Sequence, residues 1–305
     1  MVRPPSAFAL VPVLLVLVPG AAVRAEDEQA AAPTKLEALG GKVTRKEGVV
    51  TQVSFTDCSK LGDAELRAIG KLTGLKSLTI YGGCKGLNDD TVGHLATLKD
   101  LETLNTEGVQ LSDDGLAKLA ALKSLKGASF FHLSFRKEGF TGKGFAAWKD
   151  LPKLERLTVA GMSMGDEGFA AIATLTQLKE LATWHTYQTE AGNAEIAKLP
   201  NLVRLHIGQR LPRKDAKAPS LGDASLPTLA GIKTLETLKI GEARFTLPAL
   251  KGLKALPKLK KLIIYETDIA AADIDALKAE LKDVQVEFQP LTDEQRKKLD
   301  VYLKQ

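Results

Sequence analysis

Aromatic side chains make up only 5% of the 305 residues. Leucine, by contrast, recurs on a strict period, and that balance suits stacked thin layers better than one large globular core. Charge of one sign is also lacking. Setting aside Arg3 and Arg24, 40 basic residues face 37 acidic ones (40 − 37 = +3). The two signs alternate without clustering, which gives no footing for nucleic acid. No H-x-x-x-H or C-x-x-C spacing offers a zinc site. There is no G-x-S-x-G, phosphate loop or nucleotide fingerprint. No catalytic residue, metal or cofactor is therefore expected, and the chain does not read as an enzyme.

Long apolar runs are missing too. The stretch Phe8–Val18 is too short to span a bilayer and carries Pro12. With Arg3 before it, Pro19-Gly20 after it and Val23-Arg24-Ala25 as an A-x-A-like cleavage site, residues 1–25 read as an export signal. No transmembrane segment is expected after its cleavage. The location is then periplasmic, cell-envelope or secreted. Residues 26–34 read as a disordered polar linker. Thr34 is placed to cap a short helix that Gly40-Gly41 ends, and Lys42–Arg45 with Val49–Phe55 forms a hairpin. Residues 35–55 would thus be an N-terminal cap and first strand.

What the chain has is a repeated unit, cleanest in Leu101–Ser124. Its first half carries Leu101, Leu104 and Thr106 with the period of a strand; its second carries Leu116, Leu119 and Leu122 at helical spacing. Neither half buries its apolar face alone, so copies must stack. Indexed on Leu104, the matching residues are Val53, Leu78, Ala128, Leu157, Leu181, Leu205, Leu238, Leu262 and Val284, with inward partners two places on. The steps run 25, 26, 24, 29, 24, 24, 33, 24 and 22. Asp63, Asp89, Asp166 and Asp223 recur where each helix starts and are expected to cap it. The two long steps hold basic connections, Ser134–Gly144 (with Arg136, Lys137 and Lys143) and Arg210–Gly222 (with Arg213, Lys214 and Lys217). Residues 56–289 form the array. In residues 290–305, Thr292 to Gln295 matches a capping box and starts a closing helix whose Leu299 and Leu303 lie against the last repeat.

These residues resemble the leucine-rich-repeat family, in its short-repeat, ribonuclease-inhibitor-like or cysteine-containing type. Leu101–Leu122 follows that consensus apart from Thr106 and Val109. Leu36–Phe55 is similar to the N-terminal portion of exported bacterial proteins of the same type. The resemblance implies an α/β solenoid of about ten strands, with a parallel sheet on the concave side and short helices outside, binding proteins or peptides on the sheet. Ala128 in place of a core leucine, and Gly192-Asn193 where Asp-x-Gly-Leu is expected, predict irregular packing in their repeats.

On such strands the places between and just after the core pair face the concave surface. They hold Tyr81 on one strand, Asn105 and Glu107 on the next, and Phe131 and His132 on the third. Further along come Trp184 and His185, then His206, Lys239 and Tyr265. Gln209 falls in the same set. Tyr and Trp offer contact area at little entropic cost, so these residues are the candidate binding face. His132 and His185 stand two units apart, about 10 Å at ~4.8 Å per strand, too far to share a metal. Cys58 takes the family's inward cysteine place and Cys84 falls one residue beyond it. They are either buried free thiols or, since export permits it, a disulfide. The reading is an exported, non-enzymatic scaffold for a protein or peptide partner. The alternatives are a structural envelope component without a single ligand, or a carbohydrate-binding module. Mass spectrometry of the exported protein should find Glu26 at its N-terminus; an intact Met1 would overturn the signal assignment.

Overall fold

The computed structural model describes residues 31–135, 138–211 and 220–303. The export signal, residues 26–30 of the expected linker, and Arg136, Lys137, Arg213, Lys214 and Lys217 lie outside the described residues. Residues 31–38 form helix α1. The linker reading is thereby corrected for residues 31–34: Ala32 and Leu36, one helical turn apart, are both buried at the end of the array, and Thr34 lies inside the helix instead of capping it. Gly40, with φ +90°, ends the helix as expected. Gly41 then passes so close to the Phe55 ring that a Cβ there would stand 2.5 Å from it.

Eleven strands lie in one sheet in sequence order. β1 (Lys42–Lys46) and β2 (Val49–Phe55) are the expected antiparallel hairpin. All later pairings are parallel: β3 (Ser77–Ile80), β4 (Thr103–Glu107), β5 (Gly127–Phe131), β6 (Arg156–Ala160), β7 (Glu180–Trp184), β8 (Arg204–Ile207), β9 (Thr237–Gly241), β10 (Lys261–Thr267) and β11 (Gln285–Pro290). Parallel neighbours need a crossover, and each is supplied by a short helix or helical turn on the opposite layer. The result is the leucine-rich-repeat solenoid. From Val53 to Leu262 the core residues pair side by side in the expected register.

The last strand departs from it. Leu262 pairs with Val286, not Val284, and Ile264 with Phe288, so the final step is 24 residues and not 22. Val284 repeats the role of Leu259: each N–H bonds the carbonyl three residues back, Leu259 to Leu256 at 3.3 Å and Val284 to Leu281 at 3.0 Å. Two valines two places apart offer two registers, and the sheet takes the second.

The two repeats expected to be irregular keep the ladder. Ala128 pairs with Leu104 and Leu157. Its unit also holds an aromatic core of Phe130, Phe145 and Trp148, with ring centroids 5.3–6.0 Å apart. Asn193, at a core leucine's place in helix α2 (Glu190–Ile196), is fully buried and donates from Nδ2 to the Ser220 carbonyl and to Glu190. That satisfies the amide nitrogen where a leucine would have packed, while Oδ1 is buried without a hydrogen-bond partner.

The recurring aspartates are structural, but they do not cap their own helices. Asp89, Asp166 and Asp223 reach across the boundary to the helix start of the next repeat, whereas Asp63 bonds Arg67 of its own helix and His94 of the next. Thr189 donates both N–H and Oγ1 to Asp166, each at 2.7 Å. Thr246 does the same to Asp223, at 2.8 and 2.7 Å. The Ser112 N–H donates to Asp89 at 2.7 Å, and Thr141 and Gly144 bond Asp113. Thr189, Thr246 and Ser112 in turn accept from N–H groups in the first turn of their own helices.

The capping box at Thr292 is present: its N–H bonds Gln295 Oε1 at 2.9 Å, and its Oγ1 accepts from the Gln295 N–H at 3.2 Å. Helix α3 (Asp293–Leu303) buries Leu299 and half-buries Leu303. It folds back to Glu266, near the end of β10, and to Arg244, which follows β9; Gln295 bonds Glu266 at 3.5 Å and Arg244 pairs with Asp300. Val284, Val286 and Phe288 remain half-buried at the end of the array. No helix among the described residues is long and apolar enough to cross a membrane.

Leu104, Leu157, Leu205 and Leu262 are at most 1% exposed. Changing any of them to Ala should cost about 2–5 kcal/mol in urea unfolding. Losses below about 1 kcal/mol at most of these sites would contradict so complete a burial.

Candidate functional site

A parallel ladder in register turns equivalent places on successive strands into rows, and four rows cross the concave face. The row before the core residue carries Gly127, Arg156, Glu180, Arg204 and Lys261. The next, between the core pair, is small and polar at Thr79, Asn105, Ser129, Thr158 and Ala182, then turns to His206 and Lys239. The third row follows the inward partner and carries Tyr81, Glu107, Phe131, Trp184 and Tyr265. The fourth is left-handed backbone: Gly82, Gly108 and Gly161 occupy it, as do His132 (φ 52°), His185 (φ 53°), Glu242 (φ 57°) and Glu266 (φ 47°). Non-glycine residues are rare there and concentrate where a side chain has a task.

The expected aromatic residues do meet. Tyr81 lies edge-on to Phe131 at 6.2 Å, and Phe131 is 6.1 Å from Trp184. The Trp184 indole stacks on His206 at 4.7 Å and 27°, and His206 meets Tyr265 at 5.4 Å. All five are half-buried. Glycines allow this arrangement. A Cβ at Gly241 would stand 2.5 Å from the Tyr265 ring, and one at Gly208 would stand 2.8 Å from Trp184 Cβ and 2.9 Å from the Tyr265 hydroxyl. The Tyr265 ring thus crosses two strands to reach His206, whose Nε2 lies 2.9 Å from its hydroxyl. Lys239 Nζ sits 4.6 Å from the centre of the same ring.

The remaining candidates divide. His185 Nε2 is 2.8 Å from Glu242 Oε1, whose other oxygen accepts from the Gln209 N–H at 3.1 Å. His132 is exposed, with Nδ1 3.4 Å from Glu107. Asn105 donates to Thr79 Oγ1 at 3.2 Å. Gln209 does not face the groove. It is 1% exposed and anchors the return of the long connection, accepting from the Ser220 N–H at 2.8 Å and donating to the Leu221 carbonyl. No group of three or more metal-ligating side chains occurs among the described residues.

Of the two alternatives for the cysteines, the structure has the first. Cys58 and Cys84 are free thiols, both fully buried. Gly82 and Gly83, at φ +83° and +74°, absorb the extra residue and return Cys84 to the inward column. There the thiols share a hydrogen bond, which with burial pushes Cys58 well above the ordinary thiol range.

Sequence reasoning passed over Arg156, because it looked between and after the core pair and never at the place before it. It also passed over Gly127, Gly208 and Gly241, although a glycine inside a strand signals close approach. Together with Ser129, Thr158, Ala182 and His206, Arg156 and Gly127 line a depression of about 340 Å³ in the middle of the concave sheet.

The two half-buried imidazoles are tuned in opposite directions. The Glu242 hydrogen bond raises His185 above its ordinary value of 6.5, against the effect of burial. Burial, and then Lys239, lowers His206 to about 4, so the ring hydrogen-bonded to the Tyr265 hydroxyl is neutral. Stability from the His185 pair is therefore complete below pH 6.5 and lost as pH rises through the raised pKa. Stability from neutral His206 is complete above pH 6.5 and lost as pH falls toward about 4. An NMR titration of the ring protons should place the two midpoints on opposite sides of 6.5; a shared midpoint would contradict this geometry.

No family model matches the chain, and no curated protein matches it. Among solved structures it is similar to an internalin (inlF) from Listeria monocytogenes strain 4b F2365, at 15% identity and a TM-score of 0.37. The match covers 89% of this chain and 96% of that one. No site residue is carried over from that likeness.

Proposed function

We propose that the chain is an exported, non-enzymatic scaffold that binds an extended segment of a partner protein across its concave sheet. The observation that carries this reading is the unbroken aromatic line from Tyr81 through Phe131, Trp184 and His206 to Tyr265, running beside the depression floored by small side chains. Half-buried rings held by their neighbours lose little freedom on contact, which favours association. The short 24-residue steps and the buried inward column that includes Cys58 and Cys84 support the ribonuclease-inhibitor-like, cysteine-containing subtype.

A carbohydrate site is less well supported. Sugar stacking needs an open ring face, but His206 covers one face of Trp184, and the neighbouring rings meet at steep angles. A purely structural wall component would not call for an aromatic line across one face. The export-signal residues before Glu26 support a location outside the cytoplasm. Affinity capture from an envelope extract should retain a protein partner on the mature chain and lose it on the Phe131→Ala, Trp184→Ala double variant. Equal retention by both would exclude this face as the binding surface.

A further inference from the structure

Beside the aromatic line, the depression has a polarity that the aromatic contacts do not explain. Around it, charges of the row before the core residue and of the connection that feeds it are paired from one repeat to the next: Glu102 with Lys126 at 2.7 Å, Glu155 with Lys179 at 2.6 Å, Glu236 with Lys260 at 2.8 Å, and Glu180 with Arg204. Arg156 breaks the pattern. Its neighbour on β5 is Gly127, which has no side chain, and its neighbour on β7 is Glu180, already taken by Arg204. The guanidinium leans over the glycine, with Nη2 3.1 Å from where a Cβ would be. Arg156 is exposed and has no ion-pair or hydrogen-bond partner among the described residues. Lys239, lining the depression from β9, has the Tyr265 ring beside it and no carboxylate. Between these two cations the row between the core pair is uncharged at Thr158 and Ala182, and Glu180 and Arg204, which also line the depression, are paired with each other.

Resting on the peptide-binding reading above, we infer that the partner segment is acidic, with one carboxylate received by Arg156 over Gly127 and a second by Lys239. An arginine fork over a glycine gives a carboxylate a two-point contact that no neighbouring side chain obstructs. The spacing restricts the ligand further. β6 and β9 are three strand intervals apart, and Arg156 leans toward a fourth, so the two charges are separated by roughly 14–19 Å at ~4.8 Å per strand. An extended peptide advances about 3.3 Å per residue and presents alternate side chains on one face. Two acids four to six residues apart therefore span the site on the same side, with the residue between them above Thr158 and Ala182. Acids two residues apart span only about 7 Å and reach one cation at a time.

The test uses the mature chain and fluorescein-labelled, end-blocked peptides of alanine, valine and glycine carrying two glutamates two, four or six residues apart, with a two-glutamine control. Fluorescence anisotropy should show the four- or six-residue spacing binding most tightly. Arg156→Gln and Lys239→Gln should each weaken that binding about tenfold, the scale of a charged hydrogen bond, and rising salt should weaken it as well. Both side chains lie at the surface of the groove, so the variants can be checked for an unchanged urea midpoint. If the glutamine peptide binds equally well, or Arg156→Gln has no effect while Trp184→Ala abolishes binding, the acidic assignment falls and the peptide-binding reading stands. If neither the glutamate nor the glutamine peptides bind, the acidic assignment falls, and the capture experiment decides the broader reading separately.

Discussion

At Asp89, Asp113, Asp166 and Asp223 one repeat is tied to the next by a carboxylate that reaches across the boundary, and the phase of those repeats depends on that reach. The bond from Asp166 to Thr189, or from Asp223 to Thr246, fixes where the following helix begins. The helix start fixes how much chain remains before the next strand, and hence which residue arrives opposite the preceding core leucine. An aspartate capping its own helix would stabilise that helix and leave the next unit free to slip. Because a slip of one residue in a strand exchanges its two faces, this coupling also keeps the concave rows aligned.

Aligned rows make the site a property of the array and not of any single repeat. Trp184, Gly208, Gly241 and Tyr265 stand on four consecutive strands, and only their shared register lets the tyrosine ring cross two glycines to reach His206. The same alternation of large and absent side chains governs the basic row, where Gly127 leaves room for Arg156. Missing side chains shape this surface as much as the aromatic rings do.

The period was legible in the sequence because burial enforces it: every place that must pack against both neighbours is aliphatic or nearly so. Concave placement of Tyr81, Phe131 and Trp184 followed from the same period. What stayed hidden was local ambiguity and long-range partnership. Val284 and Val286 are chemically equivalent choices for the last core place, and only the ladder distinguishes them. The extra residue before Cys84 had two outcomes, decided by consecutive left-handed glycines. Nothing in the local spacing tells that an aspartate's partner lies 23 residues ahead of it, or that Glu242 would pair with a histidine two strands away. Those contacts exist only once the units are stacked.

The two ends of the array are finished differently, and this gives the molecule a mechanical polarity. At the N-terminal end α1 and an antiparallel hairpin cover the first layer. At the other end α3 folds back onto the ends of β9 and β10, leaving β11 with a single strand neighbour and Val286 and Phe288 half-buried. A load applied at the C-terminus meets that edge first, after releasing the packing of Leu299 and surface pairs such as Arg244 with Asp300. Removing β11 makes β10 the new edge, so the array yields by unzipping, one repeat at a time. Each 24-residue repeat released lengthens the tether by about 80 Å at ~3.4 Å per extended residue. Anchored through this end, the scaffold would give way in steps, losing Tyr265 with β10 while the aromatic line from Tyr81 to Trp184 and the opposite end stayed folded.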